Sequence, residues 1–187
     1  ELTAKAFDDE GFYHFGDAMA PVEPDDFTQG LTYEGRLGEN FKLLTGTWVS
    51  VGLLRDRLVT EASPLLRDAV ITGENRNEVG ALLFLDALQA RRHAGLPDDA
   101  PAIDAFGHPR LVAALQDVLD RLAAKGSGSS TFIARAMILP TPPDGALGEI
   151  TDKGSVSQKT VLKTRAGDVE ALHNGGPRPE ILIAGDA

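Results

Sequence analysis

The chain has no cysteine among its 187 residues, so it can form neither a disulfide framework nor a thiolate metal site, which suits a cytoplasmic setting. It is also short of basic charge. Its 18 lysines and arginines face 28 aspartates and glutamates, for a formal charge of -10 and a pI near 4.8. That balance disfavours nonspecific binding to nucleic acid or anionic membranes, and any phosphate ligand must be held by a local cluster. Long apolar runs are missing too. The longest, around Ala81-Leu82-Leu83-Phe84-Leu85, falls far short of the ~20 residues that span a bilayer. No basic-then-apolar leader opens the chain, so nothing points to secretion. The four histidines, His14, His93, His108 and His173, show no ligand spacing and no nucleophile partner, and they are assigned no chemistry. What is present is ordinary for a folded domain, or one domain with part of another: 42% hydrophobic and 25% charged residues.

The pattern reads as mixed α and β. Gly11-Phe12-Tyr13-His14-Phe15 is an aromatic run that predicts a strand with no earlier partner. Phe41 to Leu44 and Thr47 to Val51 flank Thr45-Gly46, which predicts a hairpin with a tight turn. Ser50 is placed to cap a helix through about Ala62, with Leu53, Leu54, Leu58 and Val59 on its buried side. Arg67 to Gly73 and Glu78 to Leu85 read as paired strands around the turn-rich Glu74-Asn75-Arg76-Asn77. Leu111, Leu115, Val118, Leu119 and Leu122 recur at helical spacing and end near Gly126. Phe132 to Leu139 predicts a further strand, and Ser157 to His173 a single last helix with Val161, Leu162, Val169 and Leu172 inward.

Four segments are punctuation. Leu96 to Pro101 is expected to be an exposed acidic loop, and Pro140 to Gly145 a second loop leading to Lys153. Gly126-Ser127-Gly128-Ser129-Ser130 lacks the closing Gly-Lys-Ser/Thr of a phosphate loop and reads as a plain connection. Asn174-Gly175-Gly176-Pro177 ends the last helix, and the residues beyond Pro177 are expected to be poorly ordered.

Three short patterns carry candidate chemistry: Tyr13-His14-Phe15-Gly16-Asp17, Gly35-Arg36-Leu37-Gly38-Glu39-Asn40, and Gly148-Glu149-Ile150-Thr151-Asp152-Lys153-Gly154. A carboxylate accepts two hydrogen bonds side by side, so Asp17 suits a ribose diol, with Gly16 permitting close backbone approach. Taken locally, Gly16-Asp17 is equally a turn. Arg36 offers a planar fork to a ribose or α-phosphate, and alone it reads as a surface charge. Glu39 beside Gly38 has the backbone freedom of a joint, or is an ordinary solvated carboxylate. Lys153, on a loop, can meet charge that builds at a phosphate and withdraw afterwards. Lys159 and Lys163 are its competitors, and on the expected last helix they read as a solvated face.

In this order the patterns resemble the end of the adenylate-forming enzymes, the acyl-CoA synthetases and their relatives. The run Phe41-Lys42-Leu43-Leu44-Thr45-Gly46-Thr47-Trp48-Val49-Ser50-Val51-Gly52 is most similar to feruloyl-CoA synthetase. The resemblance implies an α+β fold: a small mobile C-terminal domain, its sheet flanked by helices, with a β-hairpin near the hinge. Residues 1–38 would be the tail of a large AMP-binding domain, and 39–187 the small domain. It implies an ATP-dependent acid:CoA ligase using ATP, coenzyme A and Mg2+. An aryl or phenylpropenoid acid would be converted to an acyl adenylate and then to a thioester. Lys153 would be catalytic in the first half-reaction, with Asp17 and Arg36 on the nucleotide. Glu39 stands where the family has its hinge residue, usually aspartate or lysine. The hairpin of Gly46 and Trp48 would line the passage for the pantetheine thiol. Asp152 stands where the commoner superfamily pattern has glycine, so the assignment of Lys153 leans on the feruloyl type. The alternatives are a ligase for a fatty or benzoic acid or for a carrier protein, and a non-catalytic nucleotide- or CoA-binding module. The chain alone, lacking the large domain's ATP loop, is expected to be inactive.

Overall fold

The computed structural model describes residues 6–175 and 178–185. Its centre is a four-stranded sheet in the order β5-β6-β7-β8, formed by Leu66–Thr72, Gly80–Leu85, Arg135–Ile138 and Ile181–Ile183. β6 pairs antiparallel with β5 and parallel with β7, and β8 closes the edge antiparallel to β7. Every residue of β6 is buried, and alternation explains why. Ala81, Leu83 and Leu85 enter one core while Leu82 and Phe84 enter another on the opposite face. A strand covered on both faces reads as an unbroken apolar run rather than an alternating one.

Helices supply the two covers. On the first face lie α1 (Val51–Glu61), α2 (Ala87–Ala94), α3 (Ala102–Phe106) and α4 (Pro109–Ala124). Leu111, Leu115, Val118 and Leu119 of α4 are buried there, as its spacing predicts. On the second face lie α5 (Gln158–Thr164) and α6 (Ala166–Asn174), with Val161 and Leu172 in the core. Ahead of α1 in the chain come the hairpin β1 (Asp17–Glu23) and β2 (Asp26–Arg36), and the short pair β3 (Phe41–Lys42) and β4 (Trp48–Val49), whose Phe41 and Val49 join the first core. The α+β class and the hairpin around Gly46 are as expected.

Several expectations need correction. Gly11 to Phe15 is not a strand; the segment makes an isolated bridge between Phe7 and Tyr13, and Phe12, Tyr13 and Phe15 are exposed. Aromatic propensity alone did not suffice: Tyr13 meets the Phe7 ring edge-on at 5.4 Å, but no described neighbour buries these side chains. Ser50 stands at the N-cap position of α1 as expected, but its hydroxyl donates to the Glu34 carbonyl at 3.0 Å instead of accepting from the helix, and the Val51 amide donates to Asn40 Oδ1 at 3.0 Å. Val51, rather than Leu53, joins Leu54 and Leu58 in the core. β7 is shorter than the run from Phe132 to Leu139.

The helix expected from Ser157 to His173 breaks at Arg165, whose side chain is drawn into a buried ion pair. The chain after Pro177 was expected to be loose, yet it supplies β8, with Leu182 buried. Gly176 and Pro177 themselves lie outside the described residues. The loops at 96–101, 126–130 and 140–145 are loops, the second folded around Thr131, whose hydroxyl oxygen accepts from the Ser127 and Gly128 amides.

Candidate functional site

Asp17 and Arg36 are register partners at the open end of the β1–β2 hairpin. Gly16 holds the entry with φ of 77°, and its carbonyl accepts from the Leu37 amide at 2.8 Å. No protein atom lies within 4 Å of the place where a Cβ on Gly16 would sit, so the backbone there is open to approach. Among the described residues no donor occupies the Asp17 carboxylate. Nor does Arg36 pair with it: the Arg36 guanidinium is mostly exposed and its nearest carboxylate is Glu39, at 4.0 Å. An unoccupied acceptor and an unoccupied fork therefore sit on neighbouring strands.

Leu37, Gly38 and Glu39 form the turn after β2, closed by the Glu39 amide donating to the Arg36 carbonyl at 3.0 Å. The next residue, Asn40, is the one whose side chain holds the first amide of α1. Glu39 is half-buried on an open cleft of about 500 Å³ between this turn, the end of β5 and α5. Lys159 and Lys163 line that same cleft. The structure thus places these two lysines beside the candidate hinge, apart from the Lys153 loop.

The Gly46 hairpin is a tight, supported unit. Gly46 has φ of 83°, where a side chain is strained, and its amide donates to the Leu43 carbonyl at 2.8 Å. Lys42 and Trp48 are cross-strand partners, and the Lys42 ammonium lies 5.0 Å from the centre of the indole ring. Trp48 is 62% exposed. The hairpin is tied to the turn after β5: the Leu44 amide donates to the Arg76 carbonyl and the Asn75 amide to the Lys42 carbonyl.

Lys153 sits exposed at the tip of a second small hairpin whose stems meet at an isolated bridge between Ile150 and Val156. The Gly154 amide donates to the Thr151 carbonyl and the Thr151 amide to the Ser155 carbonyl, each at 2.8 Å. Gly148 and Gly154 frame the loop with φ of 73° and 81°. No hydrogen bond or ion pair among the described residues joins Lys153 to Asp17, Arg36, Glu39 or the Gly46 turn. The structure therefore gathers Asp17, Arg36 and Glu39 around one strand end and leaves Lys153 on a separate loop.

Sequence reasoning assigned no role to a buried, heavily bonded carboxylate, Glu149. The Glu149 side chain is 1% exposed and takes four donors. Its Oε1 accepts from Thr164 Oγ1 at 2.6 Å and Arg165 Nε at 2.9 Å; its Oε2 accepts from the Asp144 amide at 2.7 Å and Arg165 Nη2 at 2.8 Å. Arg165 first, with Thr164 and the Asp144 amide, outweighs burial and holds the Glu149 carboxyl down at about 2. Arg165 also donates to Thr141 Oγ1 and the Pro142 carbonyl and lies over the Phe84 ring. A lone acid between glycine and isoleucine gave no periodic signal, and its partner is 16 residues away.

Residues 41–176 match the model of the AMP-binding enzyme C-terminal domain, well over half of the chain. The chain belongs to that family. A long-chain-fatty-acid–CoA ligase of Mycobacterium tuberculosis, FadD15, is 29% identical over 177 residues, 93% of this chain and 28% of the ligase. A carboxylic acid reductase of Mycobacterium marinum is 34% identical over 143 residues, 76% of this chain and 11% of the reductase. Among solved structures, the A domain of a carboxylic acid reductase from Segniliparus rugosus, in complex with AMP and a co-purified carboxylic acid, matches with a TM-score of 0.68. It is 26% identical and covers 91% of this chain and 24% of that one. The chain thus spans about a quarter or less of the length of these relatives. No described helix is long and apolar enough to cross a membrane.

Proposed function

We propose that the chain is the mobile C-terminal domain, with the preceding strand hairpin, of an ATP-dependent acid:CoA ligase, and that Lys153 serves the adenylating half-reaction. The supporting observation is the exposed ammonium at the tip of a glycine-framed turn, apart from the lysines of the hinge cleft. In the first step a substrate carboxylate oxygen attacks the α-phosphorus of ATP. The bond to pyrophosphate breaks and an acyl adenylate forms. Lys153 meets the negative charge that builds on the phosphoryl oxygens. Asp17 accepts from the ribose hydroxyls, and Arg36 adds its donors beside them. The resemblance brings Mg2+ with ATP, and no group of three or more His, Asp or Glu among the described residues could hold a metal ion.

The domain, residues 39–187, then turns about Glu39. The Gly46 hairpin and Trp48 replace Lys153, and the thiol of coenzyme A attacks the acyl carbonyl, releasing AMP and giving the thioester. Residues 1–38 are the end of the large domain, a reading that the exposed apolar side chains of residues 6–37 support. The likeness of residues 41–52 to feruloyl-CoA synthetase favours an aryl or phenylpropenoid acid. A second reading, favoured by the carboxylic acid reductase relatives, has the same adenylation feeding a reduction.

Lys153→Ala in the full-length enzyme tests the shared step. Adenylation, read as pyrophosphate exchange, is expected to fall by about 10²- to 10³-fold, the worth of one transition-state charge partner. Reaction of supplied acyl adenylate with CoA is expected to persist. Equal loss in both steps would sink the role, and normal adenylation would shift it to Lys159 or Lys163. Assaying the wild type with phenylpropenoid and long-chain acids, with CoA or a reductant, separates the readings of substrate and product.

A further inference from the structure

The Lys153 turn reaches the body of the domain through two stems, and each is pinned by a buried polar side chain. At the far stem Gln158, 3% exposed, pairs with the main chain of β5: its Oε1 accepts from the Ile71 amide and its Nε2 donates to the Ile71 carbonyl. At the near stem is Glu149. Its main-chain carbonyl accepts from the Ser157 amide at 2.8 Å, closing the base of the turn, and its side chain is held by four donors. A carboxylate buried to this degree is costly unless fully paired, and breaking such a pair leaves a stranded charge. The pairing therefore fixes where the stem leaves the core.

We propose that Glu149 is a positioning residue for adenylation, holding the base of the turn so that Lys153 arrives at the α-phosphate in register. The inference rests on the proposed adenylating role of Lys153. Glu149 lies four residues before Lys153 on the same stem, and Arg165 anchors it from the break between α5 and α6. The same guanidinium binds Thr141 and Pro142, so the loop delivering the chain and the turn presenting the lysine share one anchor. The Gly46 hairpin and the Glu39 turn use other supports, namely Arg76, Asn75 and Asn40. Thioester formation does not depend on the Glu149 clamp. A purely structural ion pair would not discriminate between the two half-reactions in this way.

Glu149→Gln in the full-length enzyme keeps the shape and removes the charge. Pyrophosphate exchange is expected to fall about 10- to 100-fold, the scale of a misplaced catalytic group. Transfer from supplied acyl adenylate to CoA is expected to stay at the wild-type rate in the same preparation, which also reports folding. In a Lys153→Ala background Glu149→Gln is expected to add nothing, because its effect passes through the missing ammonium. Thr164→Val, which removes one of the four donors and leaves the ion pair, is expected to give a smaller loss of the same kind, and it carries the test where the glutamine variant fails to fold. Equal loss in both half-reactions, or a full additional loss in the Lys153→Ala background, overturns the proposal in favour of a stability role. Normal adenylation by Lys153→Ala alone sinks the lysine reading instead. A selective defect in Glu149→Gln would then place the clamp under a different catalytic group.

Discussion

Residues 6–40 and residues 41–185 place their large apolar side chains in opposite ways. Along β2 only Gly35 is buried, and Phe27, Leu31 and Tyr33 stand out in solvent. Along β6 all six residues are inside. The first region is held by main-chain pairing between two strands and by one close approach, Gly35 against Gly52 at the start of α1. A lone two-stranded hairpin is marginal in water, so that contact and the Ser50 hydroxyl bond to Glu34 anchor it to the domain. The second region has cores on both faces of its sheet. The comparison separates what this chain can stabilise by itself from what the proposed large domain would complete.

The largest expected contrast is between two apolar substitutions. Leu111→Ala removes a fully buried side chain of α4 and is expected to cost about 2 to 5 kcal/mol, read as a lower denaturant midpoint at unchanged slope. Phe27→Ser, at a side chain 72% exposed, is expected to change stability by less than about 0.5 kcal/mol. Comparable losses would mean that the hairpin is part of the cooperative unit and would break the comparison.

The same divide governs what the sequence made legible. α4, β5, β6 and the Gly46 hairpin carry strong periodicity or turn chemistry, and packing agrees with both. α2 and α3 escaped because only Ala90 and Ala94 of the one and Ala105 and Phe106 of the other turn inward, too few to mark a helical face. Gly11 to Phe15 failed for the opposite reason, since its propensity is high and the burial that would use it is not supplied by the described residues. At the candidate site, single residues at loop tips, Lys153 and Gly46, were proposed through motif likeness. Glu149 was not, because the value of a buried carboxylate depends on donors brought to it from Asp144, Thr164 and Arg165 by the fold. Periodicity reports faces, whereas a polar clamp is a meeting of separate segments.

A smaller effect probes the joint between the regions. A Cβ on Gly52 would lie 2.7 Å from the Gly35 Cα, a main-chain atom that cannot rotate away. Gly52→Ala is therefore expected to push β2 off α1, while alanine contributes up to about 1 kcal/mol of helix propensity to α1. The expected reading is faster amide exchange in residues 17–36 with a global midpoint moved by less than about 1 kcal/mol. Unchanged protection of the hairpin would show that other contacts carry the attachment.

The last contrast concerns pH, and it too should be confined to one region. In the hairpin Asp26 is held below its usual range by Thr28 and Gln29, but both donors lie within three residues of it, so it couples little to folding. In the domain His173 is partly buried, its Nε2 2.8 Å from the hydroxyl of Thr72. Burial first, then the charges of Arg76 and Arg135, push its pKa from 6.5 down to about 4, with Glu170 opposing. Above pH 6.5 the ring is neutral whether the chain is folded or not, and its contribution is fully present. As pH falls from 6.5 towards 4 the unfolded chain takes up the proton first, so stability declines. Glu149, lowered from 4.5 to about 2, weakens the fold only below that window, as pH drops from 4.5 towards 2. Thermal midpoints between about pH 5 and 6.5 thus isolate the histidine. His173→Gln is expected to flatten the decline there while leaving the hairpin's amide exchange unchanged. A wild-type slope in that variant would mean that the ring is not the group that titrates.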